Sequence, residues 1–148
     1  SDLFPDGSKE RLHGHNYQVE LEVELTEPAL PRMLSYEVFK QALRTACAEW
    51  DEKLLIAGDS PWLETLPIEP GEYAFRLCGK RYMLPADEVA VLAMDNVTAE
   101  NLAEALFERF WAELTRDCSI RWQERIIAVS LRIDESPGQG ATYTIRWG

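Results

Sequence analysis

The chain has 148 residues, 46% of them hydrophobic and 28% charged, enough to bury the core of one globular domain spanning 1–148. Its formal net charge of −11 repels phosphate backbones and anionic bilayers. That sets nucleic acid and membrane aside, while a small anionic substrate stays open because a local basic cluster can oppose the global field.

No apolar run reaches the roughly 18 residues of a membrane-spanning helix. Ser1-Asp2-Leu3-Phe4-Pro5 shows neither the basic nor the apolar region of a signal peptide. Cys47, Cys78 and Cys118 are far apart and form no CxxC pair. This argues against a disulfide framework or a cysteine zinc site and places the chain in a reducing cytoplasm.

In chain order, residues 1–12 read as irregular, with turn formers at Pro5, Asp6 and Gly7. Residues 13–25 read as a half-buried strand, because Tyr17, Val19, Leu21, Val23 and Leu25 alternate with Gln18, Glu20, Glu22 and Glu24. Ser35 is placed as the N-cap of a helix over 36–50, whose stripe is Phe39, Ala42, Leu43, Ala46 and Trp50. Residues 57–71, rich in Gly and Pro, read as a loop. A hairpin follows: Glu72 to Leu77, a turn at Cys78-Gly79-Lys80, then Arg81 to Leu84, ended by Pro85. Val89 to Leu92 reads as a short strand. Thr98 caps a second helix running to about Thr115, with Leu102, Leu106, Phe110 and Leu114 buried. A final hairpin pairs a strand through Ile127, Val129, Leu131 and Ile133 with Ala141 to Trp147, across a turn at Gly138 and Gly140. The fold class is α+β: an antiparallel sheet with both helices on one face.

Three groups of residues carry candidate chemistry. His13 and His15, the chain's two histidines, fall on the apolar parity of the first strand, so both imidazoles face one side and are spaced to share a metal. The alternative is a pair of hydrogen-bonded core histidines. A catalytic zinc usually takes three protein ligands and leaves one position open, so the third ligand here is Asp, Glu, Cys or none. Glu135 continues the buried parity of the late strand. It either reaches the exposed strand end or accepts hydrogen bonds from a ligand, since an unpartnered buried carboxylate is costly. Asp51 and Glu52 follow the first helix, where carboxylates oppose the dipole, and Glu10 precedes His13 by three residues.

Four motifs, in order across nearly the whole chain, resemble the 6-pyruvoyl tetrahydropterin synthase family, which includes 6-carboxytetrahydropterin synthase. They are Leu12-His13-Gly14-His15-Asn16-Tyr17, Asp51-Glu52-Lys53, Thr98-Ala99-Glu100-Asn101, and Glu135 with Ala141-Thr142-Tyr143. The resemblance implies the tunnelling fold, in which an antiparallel four-stranded sheet carries two helices. Three subunits then close a twelve-stranded β-barrel, and two trimers stack into a homohexamer with active sites between subunits. It implies a cytoplasmic, zinc-dependent lyase acting on 7,8-dihydroneopterin triphosphate, in tetrahydropterin, folate or queuosine (7-deazaguanine) synthesis. Zn2+ would be held by His13 and His15, and the pterin ring by Glu135 and Thr98.

The chain departs from the family pattern at three points. Lys9 stands where the family has its catalytic cysteine, and Glu10 matches a subgroup in which glutamate replaces that cysteine. Asp51-Glu52 replaces Asp-His. The upstream zinc histidine has no counterpart near Ser1, so the chain reads as cut short at its first strand. The hairpin over 72–84 resembles a subfamily insertion. Two further readings therefore stand beside the lyase: a member that binds a pterin or purine-like ring without the usual turnover, and an oligomeric scaffold.

Overall fold

The computed structural model describes residues 17–26, 32–67, 69–136 and 138–147, of which 32–35 and 136 are described by backbone alone. The described chain forms two compact units. One is Trp50–Asn101; the other combines residues 17–49 with 102–147.

In the second unit, three antiparallel strands form a sheet in the order β1–β7–β8: β1 Gln18–Leu25, β7 Ile126–Ser136 and β8 Gln139–Arg146. The alternation seen in the sequence sets the register. Val19, Leu21 and Val23 oppose Ile133, Leu131 and Val129, which in turn oppose Ala141, Tyr143 and Ile145. A slip by one residue would move every apolar side chain to the other face, so burial of one face specifies the pairing. Val129 and Leu131 are fully buried and Ile133 nearly so. The polar parity forms a ladder instead: Ser130 to Thr144 at 2.8 Å, and Arg146 to Glu24 at 3.4 Å.

Helix α2, Ala99–Leu114, covers the apolar face of this sheet. Leu102, Ala103, Leu106, Phe107, Phe110 and Leu114 recur at helical spacing and are buried. Phe107 meets Tyr143 at 5.3 Å between ring centroids, and Trp111 stacks on Trp147 at 4.8 Å. Helix α1, Arg32–Ala48, buries Phe39, Ala42 and Ala46 of the expected stripe, while Leu43 is half-buried and Trp50, also half-buried, lies beyond the helix end. It begins three residues before the cap expected at Ser35. Arg32, Met33 and Leu34 are strong helix formers, and their propensity outweighs the capping preference of one serine. A four-residue helix α3, Trp122–Arg125, offers Trp122 to Phe39 at 5.0 Å; it is too short to leave a periodic signal.

The Trp50–Asn101 unit holds β2 Leu54–Ala57, β3 Leu63–Thr65, β4 Glu72–Leu77, β5 Lys80–Pro85 and β6 Val89–Leu92. The expected 72–84 hairpin is present as β4 and β5. Its turn is shorter than Cys78-Gly79-Lys80, because Lys80 already pairs with Leu77. Strand β3, inside the expected loop, adds a third antiparallel strand beside β4. One pair departs from the antiparallel expectation: β2 and β6 run parallel, Leu54 opposite Val89 through Ala57 opposite Leu92. Leu54-Leu55-Ile56-Ala57 is apolar throughout and almost wholly buried, the pattern of a parallel strand and one without alternation to reveal it. Ile56, Phe75, Leu77 and Val89 form this unit's core, with Tyr73, Tyr82 and Leu84 packed on it.

Among the described residues, no helix is long and apolar enough to cross a membrane, and no disulfide joins the three cysteines.

Candidate functional site

Glu135 lies near the end of β7, where the β7–β8 ladder becomes irregular. Asp134 opposes Gly140 and Ser136 opposes Gln139, so two steps on β7 match one on β8. Glu135 is the extra residue of a β-bulge, a device that breaks pairing and re-aims a side chain. It is half-buried. Beside it, Arg132 Nε donates to both carboxylate oxygens of Asp134 at 3.1 Å, and Arg132 Nη2 approaches Asp134 Oδ1 at 2.9 Å. The bond to Asp134, then its charge, holds the Arg132 guanidinium above its ordinary range, with Glu20 on β1 adding to the effect.

Thr98 is the N-cap of α2. Its Oγ1 accepts the backbone N–H of Asn101 at 3.1 Å, the third residue of the helix, and Asn101 Nδ2 donates to the Asn96 carbonyl at 2.8 Å. Both ends of the Thr-Ala-Glu-Asn motif are thus tied locally, the cap using Thr98 Oγ1 as acceptor and not its O–H as donor. A reading of Thr98 purely as a pterin contact misses the structural duty of its oxygen.

Asp51 and Glu52 occupy the turn between α1 and β2, closed by Lys53 N–H to the Trp50 carbonyl at 3.3 Å. Both are exposed, and Glu52 adopts φ 57°, the left-handed region that non-glycine residues rarely enter. Asp51 and Glu52 share a unit with Thr98. However, the chain enters the parallel β2–β6 pair at Lys53 and leaves toward Thr98 from the opposite end, past Leu92. Glu135 belongs to the other unit.

Glu10, His13 and His15 lie outside the described residues. Among the described residues, no three His, Cys, Asp or Glu side chains cluster as a metal would require. A groove beside β3 and β4, lined by Trp62, Glu64, Arg76 and Cys78, contains none of the predicted site residues. The Arg132–Asp134 pair next to Glu135 was not singled out from the sequence. Its signal was present in parity: the two residues are two apart on the polar side of a strand.

Comparison with known proteins bears on this arrangement. Residues 3–146 match the family model described as 6-pyruvoyl tetrahydropterin synthase. A Pyrococcus abyssi protein provisionally named a 6-carboxy-5,6,7,8-tetrahydropterin synthase is 30% identical over 135 residues, covering 91% of this chain and 75% of that one. A Methanocaldococcus jannaschii protein with the same provisional name is 24% identical over 136 residues, covering 89% and 78%. Among solved structures, the 6-pyruvoyl tetrahydropterin synthase of Plasmodium vivax superposes with a TM-score of 0.84 at 18% identity, covering 98% of this chain and 88% of that one. That of Plasmodium falciparum gives 0.83 at 20% identity, with the same coverage.

Proposed function

Because the chain belongs to the 6-pyruvoyl tetrahydropterin synthase family, we propose that it is a zinc-dependent lyase acting on 7,8-dihydroneopterin triphosphate. The observation that carries this reading is the extent of the family match. It runs from residue 3 to 146 and so spans Glu10, His13, His15, Asp51, Thr98 and Glu135 together.

The donor set suits the metal: two imidazoles two residues apart in the sequence, His13 and His15, are ligands of the kind zinc takes. When bound, zinc would act as a Lewis acid toward the hydroxyls of the substrate side chain, making the adjacent C–H more acidic. Glu135 would anchor the pterin ring through its N–H groups as a charged acceptor, and the Thr98 hydroxyl would donate to the same ring. Glu10 would remove the side-chain proton as general base, in place of the family's cysteine. A catalytic glutamate is supported by the Plasmodium vivax synthase, in which alanine and cysteine replacements of a glutamate are named catalytic-residue mutants. The resemblance matches Asp51 and Glu52 to the family's catalytic Asp-His; without the histidine they cannot form its usual relay, and they would serve as carboxylates in its stead.

The same reading makes the protein a cytoplasmic homohexamer, a dimer of trimers. Among the described residues, β1 and β8 are the outer strands of their sheet, the kind of strand through which a barrel of subunits would close.

Protein purified without chelator should contain about one zinc per chain and convert 7,8-dihydroneopterin triphosphate to a new pterin. Glu10→Gln should lower turnover on the order of 10²- to 10⁴-fold. Metal-free protein, or full turnover by Glu10→Gln, would sink the zinc or the base assignment respectively. Binding of neopterin without turnover would favour the member that only holds the ring.

A further inference from the structure

We infer that Asp134, Arg132 and Gly140 form a clamp that fixes the β7–β8 bulge and so sets the direction of the Glu135 carboxylate. The inference rests on Glu135 being the pterin anchor and assigns three positioning residues to it.

Three observations define the clamp. First, the bulge needs a close approach of the two strands that only glycine permits at 140. A first side-chain carbon built on Gly140 would collide with Asp134 Oδ1 and with the Ile133 carbonyl oxygen. One of these is backbone, so rotamer changes alone cannot relieve the clash. Second, the Asp134 carboxylate fills the space that Gly140 leaves and is gripped by Arg132, with Nε to both oxygens at 3.1 Å and Nη2 to Oδ1 at 2.9 Å. Such bidentate, charge-assisted contact fixes orientation as well as adding energy. Third, Arg132 Nη1 donates to Thr142 Oγ1 on β8 at 3.3 Å, so the grip crosses from the bulged strand to its partner. Glu20 stands opposite Arg132 on β1. The carboxylate of Asp134 and that of Glu20 are thus the anionic groups facing this guanidinium.

The consequence for Glu135 is geometric. In a regular ladder it would share the parity of Leu131 and Ile133, both buried, and its carboxylate would enter the apolar face. The bulge removes it from that sequence of alternation. Arg132 and Asp134 lie on the opposite, polar parity, so the clamp acts on Glu135 through the backbone. An anchor that must meet a rigid planar ring gains from being held in one direction, because small misplacements are costly to binding.

The test is a double-mutant cycle read by neopterin titration, with pterin fluorescence as the signal. Glu135→Ala should weaken neopterin binding on the order of 10- to 100-fold, as loss of a charged acceptor does. Asp134→Ala and Gly140→Ala should each weaken it on the order of tenfold and raise KM by that factor, with kcat changed much less. In the Glu135→Ala background, Asp134→Ala should add almost nothing, since residues acting through one another are non-additive. An equal effect of Asp134→Ala in both backgrounds would overturn the clamp while leaving the anchor standing. Unchanged binding in Glu135→Ala would overturn the anchor itself. Should Asp134→Ala fail to fold, Asp134→Asn, which keeps the volume and one acceptor oxygen, carries the same cycle with a smaller ratio.

Discussion

The two three-stranded sheets among the described residues are built by different rules. Strands β1, β7 and β8 have 8, 11 and 8 residues and alternate from Val129 to Ile133 and along the residues paired with that stretch, so burial of one face sets their register. Strands β3, β4 and β5 have 3, 6 and 6 residues. The register of β4 on β5 is set at the Cys78-Gly79 turn, where both residues have positive φ, 52° and 82°. That is a type I′ hairpin, whose backbone twist matches the strands it joins. The long sheet tolerates a bulge at Glu135 because the rows of buried residues before it hold the pairing. The short β4–β5 pair, pinned by one turn, has no such reserve. The candidate ligand group lies at one of the two places where the long sheet loses its regularity, the other being at Glu24 and Leu25.

The largest expected effects come from the two cores. Phe110 and Phe75 are both fully buried, one facing each sheet's unit. Either change to alanine should cost about 3–5 kcal/mol in denaturant unfolding. Hydrogen exchange sharpens the contrast: Phe75→Ala should loosen the amides of β3–β5 more than those of β7 and β8, and Phe110→Ala the reverse. Identical exchange patterns for the two would show that the sheets do not differ in this way. Next in size is the turn. Gly79→Ala places a side chain in left-handed backbone and should cost roughly 1–2 kcal/mol. Cys78→Asn, by contrast, should raise stability by a few tenths of a kcal/mol, since asparagine tolerates that conformation better. A neutral Gly79→Ala would mean that the turn does not set the register.

The same contrast explains what was legible in the sequence. Period-two alternation revealed β1 and β7, and helical stripes revealed the buried faces of α1 and α2, because one-sided burial writes itself into spacing. Strand β2 stayed hidden because a strand buried on both sides does not alternate. Strand β3 was hidden by its brevity, and by Pro61 and Pro67 around it. At the site, residue types pointed to Thr98 and Glu135, but a cap and a bulge are properties of backbone geometry. Parity alone would have sent Glu135 into the core. The grip of Arg132 on Asp134 depends on Gly140 opposite, a pairing across the hairpin that one-dimensional periodicity does not state.

Thr98 belongs to neither sheet and tests whether the motif at the start of α2 is structural, ligand-binding or both. Thr98→Ala removes the acceptor of the Asn101 N–H and should cost about 1 kcal/mol of stability. Thr98→Ser keeps the hydroxyl and should be near neutral. If alanine weakens neopterin binding and serine restores it, the hydroxyl serves the ring as well as the helix. If alanine leaves stability unchanged, the cap contributes nothing and the contrast between cap and anchor collapses.

The smallest effect is expected in the connection between α2 and α3, where a carboxylate is held by local bonds alone. Asp117 Oδ1 accepts the Ser119 backbone N–H at 2.9 Å. That bond first, and the Ser119 hydroxyl second, lower the Asp117 carboxyl below its ordinary 3.8. A carboxyl lowered in the folded state binds protons less readily there than in the unfolded chain. Its contribution is therefore complete above the unfolded value and is lost as pH falls through the folded one. Wild type should hold a slight advantage over Asp117→Ala in denaturant midpoint at neutral pH, and the two should converge in acid below the ordinary carboxylate range. Because the side chain is exposed, solvent and salt screen the effect, so raising ionic strength should shrink the gap less than it would for an ion pair: the main cause is a hydrogen bond to backbone. A gap that widened as pH fell would reverse the sign and remove Asp117 from the account of this connection.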